Sequence, residues 1–117
     1  MPYLGVLERL LGAVAGAEAA LLLDAEGEVV VEAGARDERH RLIAAYHGIA
    51  LSAAQRGSAQ HPVGAIRQIV CRYAWGNVIL CPLKDGYYLL VSLSPRASIA
   101  LGVRHAALAQ ESLDAEL

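Results

Sequence analysis

Two continuous hydrophobic runs, Leu21–Leu23 and Val29–Val31, stand close together in the first third of the chain. The polar segment Asp24–Gly27 between them suits a turn, because aspartate can bond the backbone two residues on and glycine adopts left-handed conformations. We therefore predict a β-hairpin with strands Ala19–Leu23 and Glu28–Glu32. Hydrophobic residues that run without alternation are typical of strands buried on both faces, so both sides of this sheet should be covered.

Three further strands are predicted in the second half of the chain. Arg67–Ala74 and Val78–Lys84 are separated by a short turn at 75–77, and Tyr87–Leu93 follows the pair Asp85-Gly86. An Asp-Gly pair between two hydrophobic runs is a strong hairpin signal. The first of these strands follows a loop and should form one edge of the sheet.

Periodic hydrophobic residues predict three helices, over Pro2–Val14, from Asp37 to about Arg56, and from Ser94 to about Leu113. Asp37 and Ser94 are good N-caps, because their side-chain oxygens accept hydrogen bonds from first-turn amides. Gly57 should end the second helix. The order α-β-β-α-β-β-β-α predicts an α/β fold of the α+β type, with a single antiparallel five-stranded sheet flanked by helices. At 117 residues, the chain should form a single domain over 1–117.

The second predicted helix is hydrophobic on more than one side. One stripe, which should face the sheet, contains Leu42, Tyr46, Ile49, Ala50 and Ala53. A second row, of small residues at a spacing of four, contains Ala44, Gly48 and Ser52. Two interpretations of that row are open. Gly48 relieves crowding inside one subunit, or the same helix of a second copy packs there in a symmetric dimer.

The predicted edge strand favours the dimer. A strand with exposed hydrophobic residues and an unpaired edge is an aggregation hazard, and pairing with its own copy would satisfy that edge. We therefore predict a homodimer. Its interface should comprise Ile43, Ala44, His47, Gly48, Leu51, Ser52, Ile69, Val70 and Tyr73.

Four arginines, Arg36, Arg39, Arg41 and Arg56, flank the second helix. Two interpretations are open for them as well. They form a solvated rim, or they contact an acidic surface on a partner, since arginine makes bidentate pairs with carboxylates and is enriched at interfaces.

Charge and composition exclude several classes of protein. The net charge is -2 and the basic residues are scattered, so we expect no nucleic-acid partner. No hydrophobic run approaches the length of a membrane span, and the N-terminus does not resemble a signal peptide, so we expect a cytoplasmic protein without membrane insertion. The excess of arginine over lysine and the abundance of alanine are typical of a GC-rich bacterial genome.

No residue pattern indicates catalysis. His40 and His47 are seven positions apart, whereas metal ligands on a helix prefer a spacing of three or four. No serine lies in a nucleophile elbow. If residues 75–77 form a three-residue loop, Cys71 and Cys81 face each other, but we interpret both as small buried residues rather than a disulfide. We therefore predict a chain with no enzymatic activity, no metal and no cofactor.

Three stretches, taken in order, resemble the Roadblock/dynein-light-chain family, and in particular its prokaryotic mutual-gliding-protein-B-like members. They are the hairpin over Val14–Gly34, the Pro-Leu-x-Asp-Gly turn within Val78–Leu93, and the Leu-Gly pair within Ile99–Val103. The resemblance implies a profilin/Roadblock-like fold. It also implies dimers whose sheet continues across two subunits and whose second helices are paired, and a small Ras-like GTPase as partner. The four arginines would then contact the GTPase's switch region.

Two hypotheses for the function follow. In the first, a non-catalytic homodimeric scaffold binds a small Ras-like GTPase and biases its nucleotide state. In the second, the chain is a small-molecule sensor module with a cavity lined by Tyr46, Tyr73 or Tyr88. A filled protein core without such a cavity would count against the second hypothesis.

Overall fold

The computed structural model describes residues 2–117, which form three α-helices and a five-stranded antiparallel sheet. The elements are α1 (Pro2–Ala13), β1 (Ala17–Leu23), β2 (Val29–Gly34), α2 (Glu38–Ala59), β3 (Ile69–Tyr73), β4 (Gly76–Pro82), β5 (Tyr88–Leu93) and α3 (Ile99–Glu116). The strand order is β2-β1-β5-β4-β3, so β2 and β3 are the edges. The predicted fold class and order of elements are confirmed, and so is the position of β3 at an edge.

The central strands are buried on both faces because helices cover both. Helices α1 and α3 pack together on one face, whereas α2 alone crosses β1, β4 and β5 on the other. In β1, Leu21 belongs to the core under α2 and Leu22 to the core under α1 and α3, and both are fully buried. The prediction of burial on both faces is therefore confirmed for β1.

The same prediction is wrong for β2. Val30 is 40% exposed, because β2 is an edge strand and its register against β1 shifts between Leu22 and Leu23. Val30 is the extra residue of this bulge, since Val29 and Val31 are the residues that pair with β1.

Two of the three predicted turns between strands form as their residues dictate. The Asp24 carboxylate accepts hydrogen bonds from the amides of Glu26 and Glu28, at 3.0 Å each. Asp85 and Gly86 both adopt the left-handed conformation, with φ of 57° and 80°. These two values are those of a type I′ turn, whose twist matches that of the flanking strands.

Two helix boundaries differ from the prediction. Helix α3 begins at Ile99, where the Ser98 hydroxyl accepts from the Leu101 amide, while Ser94 belongs to a turn before it. Helix α2 has the predicted N-cap, since the Asp37 carboxylate accepts from the His40 amide at 2.8 Å. It continues through Gly57 as far as Ala59, because a glycine inside a helix costs only about 1 kcal/mol relative to alanine.

The turn between β3 and β4 has two residues, Ala74 and Trp75, rather than three. Cys71 consequently pairs with Val78 and lies on the α2 side, whereas Cys81 belongs to the core under α1 and α3. The three-residue loop that would set the two cysteines opposite each other therefore does not form. The interpretation of both as buried residues is correct for Cys81, whereas Cys71 is only partly buried. Burial raises the pKa of the Cys81 thiol to about 11, so this thiol is inert.

Candidate interaction surface

Helix α2 packs on the sheet with a different face from the predicted one. Its buried residues are His40, Ala44, His47 and Leu51. Leu42, Tyr46 and Ile49, which were expected to face the sheet, are 49%, 69% and 67% exposed. Ala50 and Ala53 are exposed as well. The helix therefore offers three large hydrophobic side chains to its surroundings.

Tyr88 of β5 explains this orientation. Its ring rises from the sheet against α2, and its hydroxyl donates a hydrogen bond of 3.1 Å to the Ala44 carbonyl. A Cβ atom on Gly48 would lie 2.7 Å from Cζ of that ring. Gly48 thus leaves room for Tyr88. This agrees with the first interpretation of the small-residue row, in which Gly48 relieves crowding inside one subunit. Ala44 lies on the same side and is fully buried.

His47 joins α2 to the edge strand. Its Nδ1 lies 2.7 Å from the Ile43 carbonyl and its Nε2 lies 2.7 Å from the Tyr73 hydroxyl. Because a carbonyl oxygen can only accept, Nδ1 carries a proton, and in that tautomer Nε2 accepts from the Tyr73 hydroxyl. Burial raises the pKa of the Tyr73 hydroxyl, which keeps it protonated and able to donate.

An aromatic stack extends from this hydrogen bond to the end of the hairpin. The rings of Tyr73 and Trp75 are stacked with centroids 4.9 Å apart, and the Arg39 guanidinium lies 5.0 Å from the centroid of Trp75. Such cation–π contacts are typical of arginine over an indole ring. The stack forms one wall of an open groove of about 570 Å³ between α2 and β3, to which Leu42 and Tyr46 also contribute.

These side chains form one hydrophobic region, which we call the α2–β3 surface. It comprises Leu42, Tyr46, Ile49, Tyr73 and Trp75, each more than a third exposed. Val70 is also exposed, but it lies on the opposite face of the sheet, because it pairs with Ile79 of the core under α1 and α3. Single exposed hydrophobic residues are ordinary, but a patch that spans a helix and an adjoining sheet edge is typical of an interaction site. Arg39 lies at its border.

The residues predicted for a homodimer interface do not share one face of the chain. Tyr73 lies on the α2–β3 surface, and Ile43, His47 and Ile69 lie at or beneath it. Val70 belongs to the same edge strand, but its side chain lies on the opposite face of the sheet. Ala44, Gly48 and Leu51 pack inward. Ser52 is exposed, but it lines a smaller cleft beside Tyr88.

Four hydrophobic residues of this surface and one stacking contact were not predicted as parts of an interface: Leu42, Tyr46, Ile49, Trp75 and the contact of Arg39 with Trp75. A two-residue turn placed at Ala74-Trp75 would have pointed to Trp75, because it sets the indole beside Tyr73.

The four arginines do not form one patch on a single chain. Arg41 makes a bidentate pair with Glu32, with nitrogen–oxygen distances of 2.6 and 3.2 Å. That hydrogen-bonded pair, assisted by the nearby charge of Arg36, lowers the pKa of the Glu32 carboxyl. Arg56 lies in the last turn of this 22-residue helix, which is about 33 Å long. Arg36, Arg39 and Arg41 are therefore near one end of α2 and Arg56 is near the other.

The two helical histidines have separate partners. His40 Nδ1 lies 2.7 Å from the Asp37 carboxylate, and His47 binds Tyr73. Within residues 2–117 no three His, Cys, Asp or Glu side chains are grouped so that they could hold a metal ion. In the same range, no helix combines the length and the hydropathy that crossing a bilayer requires.

The three tyrosines of the sensor hypothesis do not enclose a cavity. Tyr46 and Tyr73 line the open groove of the α2–β3 surface, whereas the Tyr88 ring fills the space between β5 and α2.

Solved structures share this fold across nearly the whole chain. A Roadblock/LC7 domain from Streptomyces avermitilis superposes with a TM-score of 0.85 at 19% identity, covering 97% of this chain and 95% of that one. The gliding protein MglB from Thermus thermophilus gives a TM-score of 0.85 at 19% identity, covering 97% and 87%. An MglB solved in a tetrameric arrangement gives 0.84 at 20% identity, covering 97% and 85%.

Sequence comparison agrees with the structural comparison. None of the curated protein sequences matches the chain significantly. The model of the Roadblock/LC7 domain, however, matches residues 4–93, which include β1 to β5 and the α2–β3 surface. The chain belongs to the Roadblock/LC7 family.

Proposed function

We propose that this protein is a non-catalytic homodimeric scaffold that binds a small Ras-like GTPase and biases its nucleotide state. The observation that carries the homodimer is the α2–β3 surface, where exposed Leu42 and Tyr46 share an open groove with Tyr73 at the unpaired edge of β3. A second copy would cover the helix face and extend the sheet at the same time. The tetrameric arrangement of an MglB shows that a relative of this fold self-associates.

Two-fold symmetry would also regroup the arginines. A two-fold axis that pairs the two copies of β3 would be normal to the sheet, and α2 lies flat on the sheet across β1, β4 and β5. The two α2 helices would therefore run antiparallel, with the C-terminal end of one near the N-terminal end of the other. Arg56 of one subunit would then approach the end of the partner helix where Arg36 and Arg39 lie. The dimer would present two equivalent basic regions, one at each end of the helix pair. Arg41 contributes less, because Glu32 already neutralises it.

The GTPase is proposed from family membership and from this charge arrangement. Arginine suits the recognition of carboxylates on a partner because its planar group donates two parallel hydrogen bonds. A scaffold needs no reacting group to regulate such a partner. If it binds one nucleotide state tenfold more tightly, it shifts the equilibrium between the two states by about 1.4 kcal/mol.

One experiment tests both parts of the proposal. The mass in solution is measured by light scattering at micromolar concentration, and a Ras-like GTPase from the same genome is then titrated after loading with GDP or with a GTP analogue. We expect a dimer and unequal affinities for the two states. A monomer contradicts the homodimer, and equal affinities contradict the bias. Arg36→Glu with Arg39→Glu should weaken the GTPase complex, whereas Arg104→Glu, an exposed arginine on α3, is the matched control.

A further inference from the structure

Strand β3 fixes which of its backbone groups are available to a second copy. Tyr73 and Gly76 flank a two-residue turn, so they form a hydrogen-bonded pair. Hydrogen-bonded and non-hydrogen-bonded pairs alternate along an antiparallel ladder. Cys71 and Ile69 therefore direct their amides and carbonyls toward β4, while Val70 and Arg72 direct theirs away from the sheet.

This frame restricts how two copies of β3 can pair about a two-fold axis. In an antiparallel pair, residues whose backbone groups point away from their own sheet must lie opposite one another. The two-fold axis therefore has to pass through the position of one residue of β3 and not between two residues. The three central choices are Val70, Cys71 and Arg72. An axis at Arg72 would place two like charges directly opposite each other, which is destabilising.

The remaining two choices differ in how much of the strand they use. An axis at Val70 would set Tyr73 against Arg67 of the partner subunit, which lies outside the strand. An axis at Cys71 pairs all five residues of β3. It places Val70 opposite Arg72 of the partner subunit and Ile69 opposite Tyr73 of the partner subunit, an aromatic–β-branched pair of a favourable kind.

We propose that the two-fold axis of the homodimer passes between the two copies of Cys71, so that these thiols face each other across the subunit boundary. This inference rests on the proposed homodimer and adds its register. Cys71 directs its backbone groups toward β4, so the Cys71 pair is of the non-hydrogen-bonded type, with Cα atoms about 4.5 Å apart. That distance lies within the range of roughly 4.4–6.8 Å that a disulfide spans.

The two cysteines of the chain differ in a way that makes the register measurable. Cys71 is free and partly exposed on the α2 side of the edge strand. Cys81 is free, fully buried and on the opposite side of the sheet. Only Cys71 can therefore meet its own copy at this edge.

The test is oxidation with diamide. The two thiols form one Sγ–Sγ bond, and diamide takes up their two hydrogens and becomes the hydrazine. We expect the wild-type chain and Cys81→Ala to give a covalent dimer on a denaturing gel, which dithiothreitol reverses, and a cross-linked peptide that contains Cys71 twice. Cys71→Ala should give none. Val70→Cys combined with Cys71→Ala should also give none, since an axis at Cys71 places the two copies of position 70 about 7–8 Å apart on the diagonal.

The mass of the untreated protein separates the two possible failures. If the protein is a dimer and Val70→Cys with Cys71→Ala cross-links while wild type does not, the register is overturned and the homodimer stands. If a dimer yields neither cross-link, the pairing of β3 at Cys71 is likewise overturned. If the untreated protein is a monomer, the proposed homodimer and its register both fall. The wild-type peptide map decides the register even if a variant does not fold.

Discussion

The two edges of the sheet are finished in opposite ways. Edge strand β2 has a bulge at Val30, carries Glu32 in a bidentate pair with Arg41, and is packed on one face by α1. Edge strand β3 pairs with β4 in continuous register and has no bulge. Bulges and charges are devices by which proteins keep an edge from pairing with another chain.

The difference indicates which edge of the sheet is protected by the chain itself and which edge remains available to a partner. At β2 the edge is bent by the bulge. At β3 the edge is straight, and Tyr73 shares an open groove with the exposed side chains of Leu42 and Tyr46.

The largest expected effect comes from a charge on the α2–β3 surface. Ile49→Glu would bury an unpaired carboxylate in each subunit of the dimer. We expect the dimer to weaken by about 3 kcal/mol or more, a rise in Kd of at least about a hundredfold. The free energy of unfolding of the monomer should change by no more than about 0.5 kcal/mol, since the position is exposed. Sedimentation at a series of concentrations measures the first quantity and urea unfolding the second.

Leu108→Glu is the matched control, because Leu108 is a large hydrophobic residue on α3 with a similar exposed fraction, 52%. It should leave the mass unchanged. If Leu108→Glu dissociates the dimer and Ile49→Glu does not, the partner surface is on the other side of the sheet.

The next effect distinguishes the two edges directly. Val70→Pro removes an amide that points away from β4, so the monomer keeps its own ladder, whereas pairing between subunits loses a hydrogen bond at each of two symmetric places. We expect a loss of about 2 kcal/mol, roughly a thirtyfold rise in Kd. Val70→Thr keeps both the amide and the branched side chain and should retain the dimer. A Val70→Pro dimer as tight as wild type would show that β3 does not pair.

A smaller effect tests how closely α2 packs against Tyr88 of the sheet. Gly48→Ala would press a methyl group against Tyr88, an overpacking cost of about 1–3 kcal/mol that the better helix propensity of alanine offsets by about 1 kcal/mol. Gly57→Ala, in the same helix but with no atom within 4 Å of the added carbon, should instead stabilise by about 0.5–1 kcal/mol. Both are measured by urea unfolding in the Ile49→Glu background. Stabilisation by both substitutions would contradict the close approach at Tyr88.

The smallest effect concerns edge strand β2 and its ion pair between Glu32 and Arg41. The Arg41 hydrogen bond lowers the pKa of Glu32, so the pair stabilises the fold above the unfolded-state value of about 4.3. This contribution is lost as the pH falls through the lower folded-state pKa. Relative to wild type, Glu32→Gln should cost less than about 1 kcal/mol at pH 7, because the Arg41 side chain is 45% exposed, and this cost should shrink as the pH falls below the unfolded-state pKa. A cost that grows toward acid pH would contradict this sign.

The sequence was sufficient for the order of elements because local chemistry decides the turns. Asp24–Gly27 and Asp85-Gly86 supply the hydrogen-bond acceptor and the left-handed conformations that hairpins require, whatever packs around them. Asp37 likewise caps α2 through its own side chain.

The orientation of α2 could not be predicted from the sequence, because the helix is hydrophobic on two sides. Periodicity favours the side with the larger residues, Leu42, Tyr46 and Ile49. The sheet instead selects the side with room for Tyr88, which is remote in the chain. A contact between residues about forty positions apart leaves no local signature. The N-cap of α3 also differs from the local signal, since Ser98 caps the helix although the Ser94-Pro95 pair precedes it.

The first and last helices meet at their outer ends, where the Tyr3 hydroxyl donates a hydrogen bond of 3.1 Å to the Glu116 carbonyl. Both helices pack on the face of the sheet opposite α2. A circular permutant could therefore join these ends with a short linker and be opened in the exposed loop at 61–65. A fluorescent protein fused to α1 or to α3 would lie on the face of the sheet opposite α2. It would report on assembly without blocking the binding of a partner to α2.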